Sequence, residues 1–223
     1  MCGRFTLATS PEEIARLFDL ASAPDLQARY NIAPTQSVPV CRVLEDDNER
    51  RLDELRWGLV PFWADDPSIG NRMINARSET AASKPAYRVA FRRRRCLIPA
   101  TGFYEWQKQD DGKQPYLFRR QDQKPFALAG LWESWSADDG AERLETFTIL
   151  TRDADELVAP IHARMPVIAT PSLFDVWLDP GNRQVEVLEE LLEQPTPPGF
   201  ESFAVGREVN NPRNDHPGLI EPS

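Results

Sequence analysis

Cysteine and histidine are scarce in this chain of 223 residues. The three cysteines, Cys2, Cys41 and Cys96, are odd in number and widely spaced, with no CxxC pair. That excludes a zinc ribbon and a disulfide framework. The two histidines are His162 and His216, so a metal site would have to be built mostly from carboxylates, and neither a metal nor another cofactor is expected. Long apolar runs are missing as well. Nothing approaches the 18 residues a membrane-spanning helix needs, and the N-terminus has no basic region followed by an apolar stretch, so no membrane span and no secretory signal are expected. A reduced, cytoplasmic protein is the expectation. Positive charge is in deficit too. The formal net charge is −9 and the pI near 4.9, which, if spread evenly, argues against a nucleic-acid partner.

What is present is a globular composition, 41% hydrophobic and 27% charged. A chain of this length buries well over half of its unfolded surface and needs no covalent staple. Proline is abundant: 20 residues, about 9% against a usual share near 5%. It ends helices and avoids central strands, which favours short strands and turns over a helical bundle. The charge is also segregated. Residues 71–95 hold Arg72, Arg77, Lys84, Arg88 and Arg92 to Arg95 against one acid, Glu79. This stretch is therefore net +7, and the rest of the chain −16. A basic band on an acidic body suits a local phosphate-binding surface; the plainer alternative is a solvated charged face preceding a strand.

Local signals place the elements. Ser10-Pro11-Glu12-Glu13 supplies an N-cap, a proline at the first helical position and a glutamate at the third, followed by Ile14, Leu17 and Phe18 on one face, and predicts a helix. Strands are predicted at Val38–Leu44, Leu52–Trp57, Cys96–Ile98, Tyr116–Arg119, Phe126–Trp132, Phe147–Thr151 and near Phe203–Val205. Asp110-Asp111-Gly112 and Asp138-Asp139-Gly140 read as hairpin turns. Later helices are predicted over Asp153–Ala159, Pro171–Leu178 and Val185–Glu193, the last two started by Thr170-Pro171 and Asp179-Pro180. The sum is an α+β domain, mainly antiparallel β and barrel-like, with a few peripheral helices.

Four segments could carry chemistry. Removal of Met1 before the small residue Cys2 would leave a free α-amine and a thiol on adjacent carbons. These titrate near 8 and 8.5, so both are partly nucleophilic at neutral pH. A 1,2-aminothiol condenses with an aldehyde to a Schiff base and closes to a thiazolidine; alternatively, an N-terminal cysteine is the nucleophile of an amide hydrolase. Ile74 to Thr80 places Asn75, Arg77 and Glu79 at alternate positions, on one face if extended. Thr101 to Trp106 embeds Glu105 among three aromatics, where desolvation would raise its proton affinity and suit it to general acid–base work. Ile161 to Pro166 contains His162, the side-chain type that titrates near neutrality. Three of the four also have a plain structural reading: a frayed terminus for Cys2, a strand-end carboxylate for Glu105, a hydrogen-bonded structural histidine for His162.

Together these segments resemble the SOS response-associated peptidase (SRAP) family. The resemblance runs through Met1-Cys2-Gly3-Arg4-Phe5, Arg29 to Pro34, Trp57 to Pro61, Ile74 to Thr80, Gly102 to Trp106, Ile161 to Pro166, Val209-Asn210-Asn211 and Leu219-Ile220. It implies a single domain over residues 1–223 that binds single-stranded DNA containing an abasic site and forms a thiazolidine crosslink through the mature Cys2. It implies catalytic roles for Cys2, Asn75, Glu105 and His162, and DNA contacts from Arg4, Asn31, Pro34, Trp63, Arg77 and Arg164. It further implies removal of Met1, by the protein itself or by a housekeeping aminopeptidase, and a cytoplasmic location at damaged DNA; a monomer is the simplest expectation. Trp63 is followed by Ala64 where family members often carry a second bulky residue. The alternatives are an N-terminal-nucleophile peptidase or amidase on other substrates, and a non-catalytic DNA-binding module that would tolerate loss of Cys2.

Overall fold

The computed structural model describes residues 2–46, 49–110, 112–138 and 142–223. Its strands are β1 (Arg4–Leu7), β2 (Arg29–Ile32), β3 (Ser37–Arg42), β4 (Arg51–Trp57), β5 (Asn75–Arg77), β6 (Arg95–Ala100), β7 (Gly102–Gln109), β8 (Gly112–Arg120), β9 (Phe126–Trp135), β10 (Leu144–Asp153), β11 (Arg164–Pro166), β12 (Ile168–Ala169) and β13 (Phe200–Ala204). The helices are short: α1 (Pro11–Phe18), α2 (Ser78–Ala81), α3 (Arg88–Arg93), α4 (Phe174–Leu178) and α5 (Val185–Glu193). Among the described residues no helix is long and apolar enough to cross a membrane.

The class is α+β and mainly antiparallel, as expected, and it does contain a barrel. Strand β3 pairs with β4, β4 with β10, β10 with β9, β9 with β6, and β6 back with β3. A second sheet runs β13-β8-β7-β1-β2. Strand β10 is the hinge of the design. Along one edge it pairs in parallel with β4 at Thr146 and Phe147, then with β5 at Ile149 to Thr151. Along the other it pairs with β9 as far as Ile149, then with β11 from Thr151. One strand thereby fixes the two segments that carry Asn75 and Arg164.

Trp57 joins the sheets. It is fully buried, edge-on to Phe5 of β1 at 5.2 Å and stacked on Phe147 of β10 at 6.2 Å. Burying such a ring contributes about 2–3 kcal/mol, and each aromatic pair roughly 0.5–1.5 kcal/mol more. The indole N–H donates to the Ile74 carbonyl at 2.8 Å, so the core also sets the approach to Asn75. Just after Trp57 the chain makes a close backbone crossing. Gly58 has φ +123, and a Cβ there would lie 2.4 Å from the Gly70 carbonyl oxygen, which only glycine permits.

Local signals held where the caps are real. The Ser10 hydroxyl accepts the Glu13 N–H at 3.3 Å, and the Glu13 carboxylate reaches back to the Thr9 hydroxyl, a variant of the capping box. Gln109 pairs with Gly112 across the first expected hairpin turn and Trp135 with Leu144 across the second; Asp111, Asp139 and Gly140 lie outside the described residues. The helix expected at Asp153–Ala159 is absent. Strand β10 runs to Asp153, and Asp155 Oδ1 then accepts the Leu157 and Val158 N–H groups, a side-chain turn that competes with helix. Asp179-Pro180 does not open α5. Asp179 Oδ1 instead accepts the Gly181 N–H, and α5 begins at Val185. Arg88–Arg93, for which local signals predicted no element, is helix α3, directly before β6.

Candidate active site

Cys2 precedes β1 and is completely buried. Its carbonyl accepts a hydrogen bond from Asn75 Nδ2 at 2.8 Å, and its thiol points to the Arg4 carbonyl at 3.9 Å. Burial, and secondarily the charge of Glu105, push the thiol pKa far above its ordinary value. Met1 lies outside the described residues. The other amide atom of Asn75, Oδ1, is buried without a partner among the described residues. A buried acceptor of this kind is costly unless a donor reaches it, and it lies on the side chain that already holds Cys2.

Glu105 is on β7, only 2% exposed. Desolvation raises its carboxyl above the usual range, while His162 opposes the shift. His162 Nδ1 lies 3.9 Å from Glu105 Oε1. The same nitrogen sits 3.0 Å from the Arg164 N–H and 2.9 Å from the Arg164 carbonyl. The backbone of Arg164 therefore offers a donor to Nδ1 when that nitrogen is bare and an acceptor when it carries a hydrogen, so either tautomer is held in the same ring orientation. Cys2, Asn75, Glu105 and His162, spread over 160 positions of sequence, converge at one place.

That place opens into a pocket of about 380 Å³ lined by Arg4, Glu105, Trp106, Lys113, His162 and Asn210. A larger cavity of about 590 Å³ lies between α2, the end of β10 and α5, but Glu79, Asp153, Asp155, Glu189 and Glu193 line it. That much negative charge repels phosphate, so the smaller pocket carries the site.

The six expected DNA contacts separate into distinct roles. Arg4 heads β1 and donates through Nη1 to Asn31 Oδ1 at 2.8 Å and to the Val209 carbonyl at 2.7 Å, with Nη2 3.4 Å from the Asn210 carbonyl. Asn31 is 1% exposed, and its Nδ2 donates to the carbonyls of Val209, Asn211 and Asn214. It clasps the C-terminal segment and aims Arg4, and it does not itself face outward. Pro34 is half-buried. It precedes Thr35, whose φ of +74 is a left-handed conformation that a β-branched residue adopts only under strain. Arg77 is exposed at the end of β5. Arg164 is engaged: it pairs with both oxygens of Glu79 at 2.5 and 2.9 Å and with Asp153 at 2.6 Å. Glu79 was expected to share an extended face with Asn75 and Arg77, but the strand stops at Arg77 and Glu79 lies in α2.

Trp63 is 50% exposed and Phe62 53%. Sequence reasoning missed Phe62, although Phe62-Trp63 after Pro61 was a visible aromatic pair; the second bulky ring precedes Trp63 rather than follows it. Their loop is rigidly mounted. Val60 N–H donates to Thr146 Oγ1 at 2.9 Å, and Trp135 Nε1 to the Ala64 carbonyl at 2.6 Å. The basic band divides likewise. Arg95 is buried and caps the carbonyls of Phe91, Trp177, Asp179 and Asn182, and Arg94 pairs with the buried Glu133 at 2.8 Å. Arg72, Arg77, Lys84, Arg88, Arg92 and Arg93 remain on the surface.

Residues 1–212 match the SOS response associated peptidase (SRAP) family. The chain is 40% identical over 225 residues to the abasic site processing protein YoqW of Bacillus subtilis (strain 168), covering 99% of each. It is 31% identical to the abasic site processing protein YedK of Escherichia coli (strain K12), covering all of both. A crystal structure of a protein from Bacteroides thetaiotaomicron superposes with a TM-score of 0.85 at 25% identity over the whole of both chains.

Proposed function

The chain belongs to the SOS response associated peptidase family, and on that premise we propose that it processes abasic sites by capturing them covalently in single-stranded DNA. The observation that carries this reading is the convergence of Cys2, Asn75, Glu105 and His162 beside a pocket that Arg4 also lines.

The chemistry begins with loss of Met1 by hydrolysis of the Met1–Cys2 peptide bond, a step in which the same residues serve as acid and base. The freed Cys2 amine attacks C1′ of the ring-opened sugar, an aldehyde, and gives a carbinolamine. Glu105, whose burial favours its protonated form, protonates the departing hydroxyl, and water leaves to give a Schiff base. The Cys2 thiol then adds to the same carbon and passes its proton to the Glu105 carboxylate. One aldehyde and one aminothiol become one thiazolidine and one water, so the reaction balances without an added cofactor. His162 supports ring opening and protonation of the imine nitrogen, and the same proton transfer run backwards reverses the crosslink. Asn75 holds the Cys2 carbonyl and keeps Oδ1 for the new amine, which fixes the nucleophile in register. Arg4 and Arg77 bind phosphates beside the lesion, joined by Arg164 when a phosphate displaces one of its carboxylates. Phe62 and Trp63 stack on bases without regard to their identity. The protein acts as a monomer on its DNA.

The test is a denaturing gel of Met1-free protein incubated with single-stranded DNA bearing one abasic site. A heat-stable shifted band is expected, and it should vanish in Cys2→Ala and in protein that keeps an N-terminal extension. Correctly processed protein that yields no covalent product refutes the proposal, and hydrolysis of unrelated amides would favour the amidase alternative.

A further inference from the structure

The pairing of β1 with β7 ends where Arg4 lies opposite Tyr104. From Glu105 onward β7 is no longer covered by β1, and the pocket opens along that edge. Lys113 reaches the pocket from β8, the opposite neighbour of β7, where it is registered across from Lys108. Trp106 and Asn210 are joined by a hydrogen bond of 2.7 Å from the indole N–H to Asn210 Oδ1, and both line the same pocket as Arg4 and Lys113.

Among the described residues neither cation is paired with a carboxylate. Arg4 spends its hydrogen bonds on an amide and on carbonyls. Lys113 is exposed and has no ion pair or hydrogen bond among the described residues. Among the described residues the single carboxylate lining the pocket is that of Glu105, and burial favours its neutral form. The pocket is thus net positive in a chain of net charge −9, a local inversion that favours an anion at this spot. An ammonium on a flexible stem binds a phosphate as a point charge without demanding one geometry, which suits a DNA backbone held by a covalent bond a few atoms away.

We propose that Lys113 is a DNA-binding residue that holds one backbone phosphate adjacent to the abasic nucleotide, on the far side of the pocket from Arg4. This rests on the reading that the pocket receives abasic DNA. Lys113 contributes to encounter and retention of the strand and takes no part in bond making.

The test is crosslinking under single-turnover conditions as a function of DNA concentration, using Met1-free wild type, Lys113→Ala and Lys113→Arg. Lys113→Ala should raise the half-saturating DNA concentration about three- to tenfold at low salt and lower the salt slope by about 0.7, the value for one phosphate on a single strand. The maximal rate should stay unchanged, and Lys113→Arg should restore affinity. Oligonucleotides with a neutral methylphosphonate at the phosphate 5′ or 3′ of the lesion locate the contact. One of the two replacements should weaken wild type by the same factor and weaken Lys113→Ala no further. An unchanged half-saturation in Lys113→Ala, or losses that multiply at both phosphates, overturns the proposal. Fluorescence anisotropy with a tetrahydrofuran site, which cannot crosslink, separates the two levels of inference. If wild type binds this DNA but never crosslinks abasic DNA, the capture chemistry fails, and the anisotropy of Lys113→Ala still decides the lysine.

Discussion

Asn31→Ala tests whether that buried amide is a clasp or a direct DNA contact. Asn31 Oδ1 accepts from Arg4, and the two hydrogens of its Nδ2 are shared among three carbonyls of the C-terminal segment, all between 2.8 and 3.2 Å. Each contributes on the order of 1 kcal/mol net. Arg4 keeps the Val209 carbonyl, and Val209 keeps Arg4, so those two groups are not orphaned. The carbonyls of Asn211 and Asn214 lose the Asn31 donor, at partly buried positions that water can reach. The expected loss is therefore about 2–4 kcal/mol, less than the full desolvation of four groups. For a chain of this size that lowers Tm by about 5–15 °C. Urea denaturation measures it, and hydrogen exchange should rise selectively at 209–214. Asn31→Asp should be worse than Asn31→Ala, because a carboxylate would face three carbonyl oxygens with no N–H to offer. Crosslinking should weaken through Arg4 alone, so Arg4→Ala and the double variant should bind DNA alike. An Asn31→Ala protein within about 0.5 kcal/mol of wild type, the range of ordinary surface changes, would refute the clasp, as would an Asn31→Asp protein more stable than Asn31→Ala.

Glu105→Gln should slow crosslinking about 10²-fold, the usual scale of a lost general acid. Its stability should also be less sensitive to pH. Burial raises the Glu105 carboxyl above its reference of 4.5, so the folded chain holds that proton more tightly than the unfolded one. The resulting stability is full below the unfolded value and is lost as pH rises through the folded value; urea midpoints between pH 4 and 8 should show this decline in wild type and not in the variant. Glu79→Gln removes a carboxylate that neutralises Arg164, and single-stranded DNA affinity at low salt should rise about two- to fivefold with a steeper salt dependence; a fall in affinity would mean that Glu79 orients Arg164 for its phosphate. Thr35→Gly relieves a left-handed β-branched residue and should stabilise the fold by about 1 kcal/mol in thermal unfolding, whereas a loss of stability would remove strain as the explanation for that turn.

Several features were legible before any coordinates. The cap at Ser10 and the strands from Val38 to Trp57 and from Phe126 to Thr151 follow from side-chain chemistry within a few positions of one another, whereas Cys2, Asn75, Glu105 and His162 were singled out together by the family resemblance. Features that depend on partners far away in sequence were not legible. Nothing local to Arg95 says that four carbonyls absorb it, so it read as part of a basic surface. Nothing local to Arg164 says that Glu79 and Asp153 neutralise it. The helix expected after Asp153 was lost to the side chain of Asp155, a short-range competitor that hydrophobic spacing does not register.

By itself the sequence determined the chemistry on offer: an aminothiol at Cys2 once Met1 is gone, one carboxylate among aromatics, an imidazole at His162, and a charge balance that is negative overall and positive in one stretch. Tertiary structure decided which of these groups meet. Strand β10, by exchanging β4 for β5 on one edge and β9 for β11 on the other, draws Asn75 and the His162 segment to the same end of the fold, where β1 stops and β7 continues. Burial there favours the proton on Glu105 and suppresses ionisation of Cys2. Both effects come from the cost of placing charge where water has been excluded, and solvent exclusion is a property of the assembled fold.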